Sequence, residues 1–195
     1  MPKSRDDAYA LMTEWTQNEA LQRHMLAVEA AMRAYAGRFG EDEDLWGMAG
    51  LLHDFDYERY PSLEEHPAVG TKLLEEQGYP KDVVYAIRTH NDRLGYPRAH
   101  LMDRALFAVD ELSGFITAAA LVRPDKSIMS LESRSVRKRM KDKAFARQVS
   151  REDIIQGAEG LGVDLDEHIA FVIKAMQTIA SDLGLEGQPP PDAST

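Results

Sequence analysis

Along this chain apolar residues recur at intervals of three and four almost from end to end, and no stretch of any length alternates with a period of two. Helices that bury one face have that spacing, so the chain is expected to be all-α. A first amphipathic helix is predicted from about Asp6 to Thr16. Asn18 is placed to cap a longer one running to about Phe39, where Gly40 stops it. Acidic Glu41 to Asp44 open a third helix, and its apolar end, Met48 to Leu52, delivers His53 and Asp54 side by side. Pro67 fits the first turn of a helix that reaches Gln77 before Gly78, and Pro80 opens a short one that ends at His90. A long apolar helix is expected from about Arg98 to Val122, with Pro124 just beyond it.

The chain then changes character. "SRSVRKRMKDKAFAR" is strongly basic, and the run Arg134 to Arg147 reads as a solvated helix face and the strongest local source of cations. Arg151 to Leu161 and Asp164 to Leu183 are two further amphipathic helices. One domain over residues 1–184 is expected, followed by a Pro-rich, apolar-poor tail at 185–195 that should be disordered.

Composition narrows the chemistry. With 195 residues, 44% of them hydrophobic and 29% charged, the chain has the balance of a globular protein. A formal net charge of −10 argues against binding a nucleic-acid polymer, which takes a surplus of lysine and arginine. A small phosphorylated substrate needs only a few local cations or a metal, so it remains open. The absence of cysteine excludes disulfides, thiolate zinc and Cys nucleophiles. No apolar signal-peptide region or membrane span is evident, so a cytoplasmic protein with no membrane partner is expected.

Burying His53 and Asp54 at an apolar helix end costs several kcal/mol unless something pairs with them. The other histidines supply the partner. His24 shares a helix face with Leu21, Ala27, Val28 and Ala31. His66 precedes Pro67, with Val69, Gly70 and Leu73 along its face, and His90 has Ala86 and Ile87 one turn back. Asp110 interrupts the otherwise apolar "ALFAVDELSGFITAAALV". Any one of these alone reads as a hydrogen-bonded core residue. Six such groups without a common partner would cost more than a domain's typical net stability of about 5–15 kcal/mol. A shared metal site accommodates all six, and imidazole with carboxylate suits iron, manganese, zinc, cobalt or nickel.

His24, then His53-Asp54, then Asp110 resembles the H…HD…D signature of the HD-domain superfamily of metal-dependent phosphohydrolases. With His66 and His90 it is similar to the extended pattern of the two-metal members, over roughly residues 20–122. The resemblance implies an HD-domain helical bundle with additional C-terminal helices over 123–184. It implies two divalent transition-metal ions bridged by Asp54, one held by His24, His53 and Asp110, the other by His66 and His90. The activity it implies is hydrolysis of a nucleotide or other small phosphate ester by a metal-bound hydroxide.

Around that core, Asp56, Glu58 and Arg59 lie in the loop after the dyad, where a base or a substrate cation could stand. Ser113 and Thr117 form a polar stripe at i+3 and i+7 from Asp110 that either lines a pocket or bonds back to its own helix. Arg93, past a helix end, is free to reach a phosphate, and Arg123 and Lys126 flank a proline turn that could bring them over the site. Lys72 and Arg88 are expected to point outward, and His100 and His168 to lie at the surface. The same six ligands also resemble those of HD-fold di-iron oxygenases, and a third possibility is a ligand-sensing HD module without turnover.

Overall fold

The computed structural model describes residues 3–187, and all regular structure among them is helical. Ser4 caps α1 (Arg5–Trp15) in a capping box with Asp7. The Asn18 side chain accepts the Ala20 and Leu21 N–H groups to start α2 (Glu19–Phe39), and Gly40, at φ 75°, ends it. Asp42 caps α3 (Glu43–Leu52), and His53 stands at its C-terminal cap. Then follow α4 (Ala68–Glu76), α5 (Lys81–Thr89), a short 3-10 turn at Asp92–Leu94, and the long α6 (Leu101–Leu121). The chain continues through α7 (Ser133–Met140), α8 (Arg151–Leu161) and α9 (Leu165–Gln177).

Each long helix buries one apolar stripe. α2 lies along α3 and α6, α5 bridges α3 and α6, α8 packs on α6, and α9 packs on both α2 and α6. α2 and α3 approach closely at Gly50, where a Cβ would stand 2.9 Å from the backbone of Glu29. With no side chain there, α2 and α3 meet main chain to main chain, close enough for His24 and His53 to face one another. Glu29, 4% exposed, is fastened on both sides, at 2.6 Å from Arg5 and 2.9 Å from Arg33. Burying that carboxylate is therefore compensated.

The structure departs from the sequence reading in several places. α6 starts at Leu101, not Arg98, because the His100 N–H donates to the Asp103 carboxylate at 2.9 Å and sets the helix start there. α9 gives way to turns after Gln177, where the Thr178 hydroxyl donates back to the Ala175 carbonyl, so the helix does not reach Leu183. Residues 185–187, placed in the expected tail, belong to the described structure. Leu185 is buried, and its carbonyl accepts the Ile128 N–H at 2.9 Å; the rest of that tail, 188–195, lies outside the described residues.

His168 is the plainest correction: it is fully buried. Its polar neighbours Asp166 and Glu167 point elsewhere, while His168 shares the inward face of α9 with Ile169 and Val172. The Tyr35 hydroxyl donates to its Nδ1 at 2.5 Å, and its Nε2–H donates to the Ala108 carbonyl at 3.0 Å. Burial lowers its pKa, so the ring stays neutral and ties α2, α9 and α6 together. His100 is at the surface, as its neighbours imply.

Candidate metal centre

The six sequence-derived ligands meet. Those that are helical come from α2 (His24) and α6 (Asp110), while His53 and His90 sit at the C-terminal caps of α3 and α5. Asp54 follows His53 directly, and His66 stands in the turn before α4. Two groups of ligand atoms result, His24–His53–Asp54 and Asp54–His66–His90, with Asp54 common to both. In the first, His24 Nε2 lies 3.0 Å from Asp110 Oδ1, 3.2 Å from His53 Nε2 and 3.9 Å from Asp54 Oδ2. In the second, His66 Nε2 lies 3.1 Å from both His90 Nε2 and Asp54 Oδ1. Asp54 thus turns one oxygen toward each group, as a bridging carboxylate does.

The far side of each ring fixes which nitrogen is free. His53 Nδ1 is 2.8 Å from the Gly50 carbonyl and His90 Nδ1 is 2.6 Å from the Ile87 carbonyl. A carbonyl only accepts, so both Nδ1 atoms carry the hydrogen and both Nε2 atoms are the ones turned to the centre. His66 Nδ1 donates in the same way to Asp56 Oδ1 at 2.7 Å. His66 Nε2, His90 Nε2 and Asp54 Oδ1 then converge on one point, which is occupied either by protons carried on the imidazoles or by a shared cation. The donor set and its backing bonds fit a divalent transition metal.

Electrostatics point the same way. Burial opposes a charge on His53, but Asp54 and Asp110 hold its imidazolium well above the ordinary histidine range. Burial also opposes ionisation of Asp54, and His53, with hydrogen bonds from His66 and His90, keeps its carboxylate well below the usual range. Asp110 is lowered for the same reason, by His53 and His24 against burial. The cluster is a buried well of negative potential that demands positive charge.

Asp56 supports the second group. It is fully buried, with Oδ1 on His66 and Oδ2 accepting the Gly70 N–H at 2.7 Å. A Cβ at Gly70 would stand 2.6 Å from Asp56 Oδ2 and 2.8 Å from the Phe55 ring, so the carboxylate fits only against glycine. His66 is thereby backed by a carboxylate, while His53 and His90 are backed by backbone carbonyls. Asp56→Asn keeps the shape and removes the charge. It is expected to weaken metal binding on the His66–His90 side by about 10–100-fold and leave the His24–His53 side nearly unchanged. A calorimetric titration of metal into chelated protein checks this, and equal weakening of both sides would contradict it.

A pocket of about 440 Å³ opens over both groups, and Tyr57, Leu63, Asn91, Phe107, Glu111 and Asp153 are among the residues lining it. None of the secondary residues singled out in the sequence is on its wall. Glu58 instead accepts the Gln17 and Asn18 N–H groups at 2.8 and 2.9 Å, joining the loop to the α1–α2 junction. Arg59 donates to the Glu14 and Trp15 carbonyls and lies 4.3 Å over the Trp15 ring, capping α1. Arg93 is 65% exposed, beside Glu64. The buried Ser113 hydroxyl donates to the Val109 carbonyl at 2.6 Å, which is the back-bonding alternative. Thr117 lies one turn further from the site. Arg123 pairs with Asp125 and Ser130 and lines a separate pocket with Lys138, and Lys126 is exposed in a left-handed turn at φ 49°. Both follow the C-terminal end of α6 at Leu121, about 17 Å of helix beyond Asp110. The basic run is also elsewhere, with Arg134 on Glu132 and Arg137 on Asp166.

The wall residues missed in the sequence carry a partial signal. Phe107 and Gly114 lie at i−3 and i+4 from Asp110, on the same face of α6, where Ser113 and Thr117 lie to one side. Nothing local to Asp153, in the first turn of α8, marks it as a neighbour of Asp110. Burial, then Asp110, pushes Glu111 up to about 7, and its carboxylate accepts the Ser150 N–H at 3.0 Å.

Residues 21–155 match the HD domain family, well over half of the chain, and the chain belongs to that family. Among curated proteins it is similar to Ribonuclease Y of Desulfotalea psychrophila, at 30% identity over 144 residues. That match covers 72% of this chain and 27% of the relative, so the chain spans about a quarter of that protein's length. No solved structure matches it. Among the described residues, no helix is long and apolar enough to cross a membrane.

Proposed function

We propose that the chain is a hydrolase of small phosphate esters that works with two divalent transition-metal ions. The observation that carries this reading is Asp54, which turns one oxygen to His24 and His53 and the other to His66 and His90. His24, His53 and Asp110 would hold one ion, His66 and His90 the other, and Asp54 both. When bound, such a pair supplies an activated water and a clamp on the phosphoryl oxygens, so no serine or cysteine nucleophile is needed. The protein's own contribution is orientation. Gly50, Ile87 and Asp56 fix the ring planes from behind, and Tyr57 and Phe107 shape the pocket in which the ester lies.

The name of the similar Ribonuclease Y makes RNA a substrate to test. The pocket wall, with no lysine or arginine among the described residues, favours a small ester over a polymer. The test is release of phosphate from a panel of phosphomonoesters, nucleotides and a short RNA, with manganese, cobalt, nickel or magnesium, in air and without oxygen. Oxygen-independent phosphate release from small esters supports the reading. Turnover that consumes oxygen would assign the chain to the di-iron oxygenases instead, and tight binding without product would make it a sensor.

A further inference from the structure

The charge lining the pocket narrows the substrate, given the proposed two-metal phosphate-ester site. Two divalent ions carry four positive charges against three on Asp54, Asp110 and the Asp56 carboxylate behind His66, so one doubly ionised phosphoryl group already more than offsets the remainder. Nothing nearby offsets a further negative charge. Among the described residues no lysine or arginine lines the pocket. Arg98, just behind the wall, is bonded to Asp92 and lies 3.5 Å over the Phe107 ring. Arg151, on the α8 side, gives its guanidinium to the carbonyls of Asp142, Phe145, Ala146 and Val149.

The remaining carboxylates of the wall are differently placed. Asp153 and Glu111 both line the pocket, on facing elements, with no cation within ion-pair distance among the described residues. Glu111 is held in place by the Ser150 N–H at 3.0 Å, and Ser150 also caps α8, the helix whose first turn carries Asp153. The two acids are thereby tied to one junction beside Asp110. Tyr57, Leu63, Phe107 and Val149 complete the wall and offer an apolar or aromatic surface to whatever lies between them.

We propose that the pocket takes a phosphomonoester whose alcohol part carries a positive charge, with the phosphoryl group on the metal pair and the cation against Asp153 and Glu111. Phe107 precedes Glu111 by one turn of α6 and offers the same end of the molecule the ring face that Arg98 does not cover. A second phosphoryl or carboxyl group in that position would meet two carboxylates. Polyphosphates and polynucleotides are accordingly poor ligands.

The test is binding, measured by calorimetry on manganese-loaded protein, with three probes of similar size: phosphoethanolamine, ethyl phosphate and phosphoglycolate. They share one phosphoryl group and differ in carrying a cation, no charge or an anion at the other end. Phosphoethanolamine is expected to bind about tenfold tighter than ethyl phosphate, and phosphoglycolate weaker than both. Asp153→Asn with Glu111→Gln should bring the three affinities together while metal content, followed by elemental analysis, stays at its wild-type level. Equal binding of the three probes by the wild-type protein, or a preference surviving in the double variant, overturns the inference and leaves the phosphate-ester reading intact. Failure of all three to bind the loaded protein overturns both.

Discussion

Asp54→Ala is expected to lower hydrolysis of small phosphate esters by about a thousandfold, equivalent to about 4 kcal/mol of transition-state stabilisation. Among the described residues, Asp54 is the side chain shared by both groups. Its Oδ1 stands 3.1 Å from His66 Nε2 and its Oδ2 3.5 Å from His53 Nε2. Removing it separates the two halves of the centre and leaves His66 and His90 with their Nε2 atoms 3.1 Å apart. Metal stoichiometry should therefore fall together with rate. Elemental analysis of the purified variant, beside a phosphate-release assay, checks both. A variant that keeps two ions per chain and near wild-type turnover would remove Asp54 from its bridging role.

Chelation is expected to lower the melting temperature by about 5 to 10 °C. An ion present at 100 times its dissociation constant stabilises the folded state by about 2.7 kcal/mol, and a chain of this size shifts by about 2–4 °C per kcal/mol. The pH dependence of the two forms should differ in sign. In the metal-free protein burial disfavours a charged His66, but Asp54 and Asp56 outweigh it and push its pKa up to about 9. A folded-state value above the unfolded one of about 6.5 gives stability that is fully present below that lower value and is lost as pH rises through about 9. The chelated protein should thus lose thermal stability from neutral to alkaline pH. The loaded protein should gain over the first part of the same range, because metal binding needs the imidazoles deprotonated. Melting curves at pH 6, 7.5 and 9, with and without chelator, read this directly. Parallel pH profiles for the two forms would exclude the cluster as the metal site.

The residues that cluster around Asp54 were legible in the sequence because each sits where its chemistry conflicts with its surroundings. A histidine among Leu21, Ala27 and Val28, or an aspartate inside a helix as apolar as α6, needs a partner, and helical spacing shows that it points inward. The helices were legible for the same reason, together with caps such as Asn18 and Gly40. The pocket wall was not. Glu58, Arg59 and Arg93 are charged loop residues close to the ligands in sequence, but their side chains close local turns and helix ends. Asp153 and Val149 reach the pocket only because α8 packs across α6, a contact between segments some forty residues apart that no local spacing encodes. His168 shows the opposite error, since two acidic neighbours hid a position on the inward stripe of α9.

The contact between α2 and α3 at Gly50 gives the centre a fulcrum. His53 follows that glycine by three residues, and His24 precedes Glu29 by five, so both imidazoles hang close to a joint made of main chain alone. Main chain does not change rotamer. The spacing of the two backbones that carry His24 and His53 is consequently fixed, and an ion held between those rings would meet a stiff support there. The His66 ring is instead held from behind by Asp56. A single methyl group at position 50 would act as a wedge at the fulcrum and push the backbones that carry His24 and His53 apart.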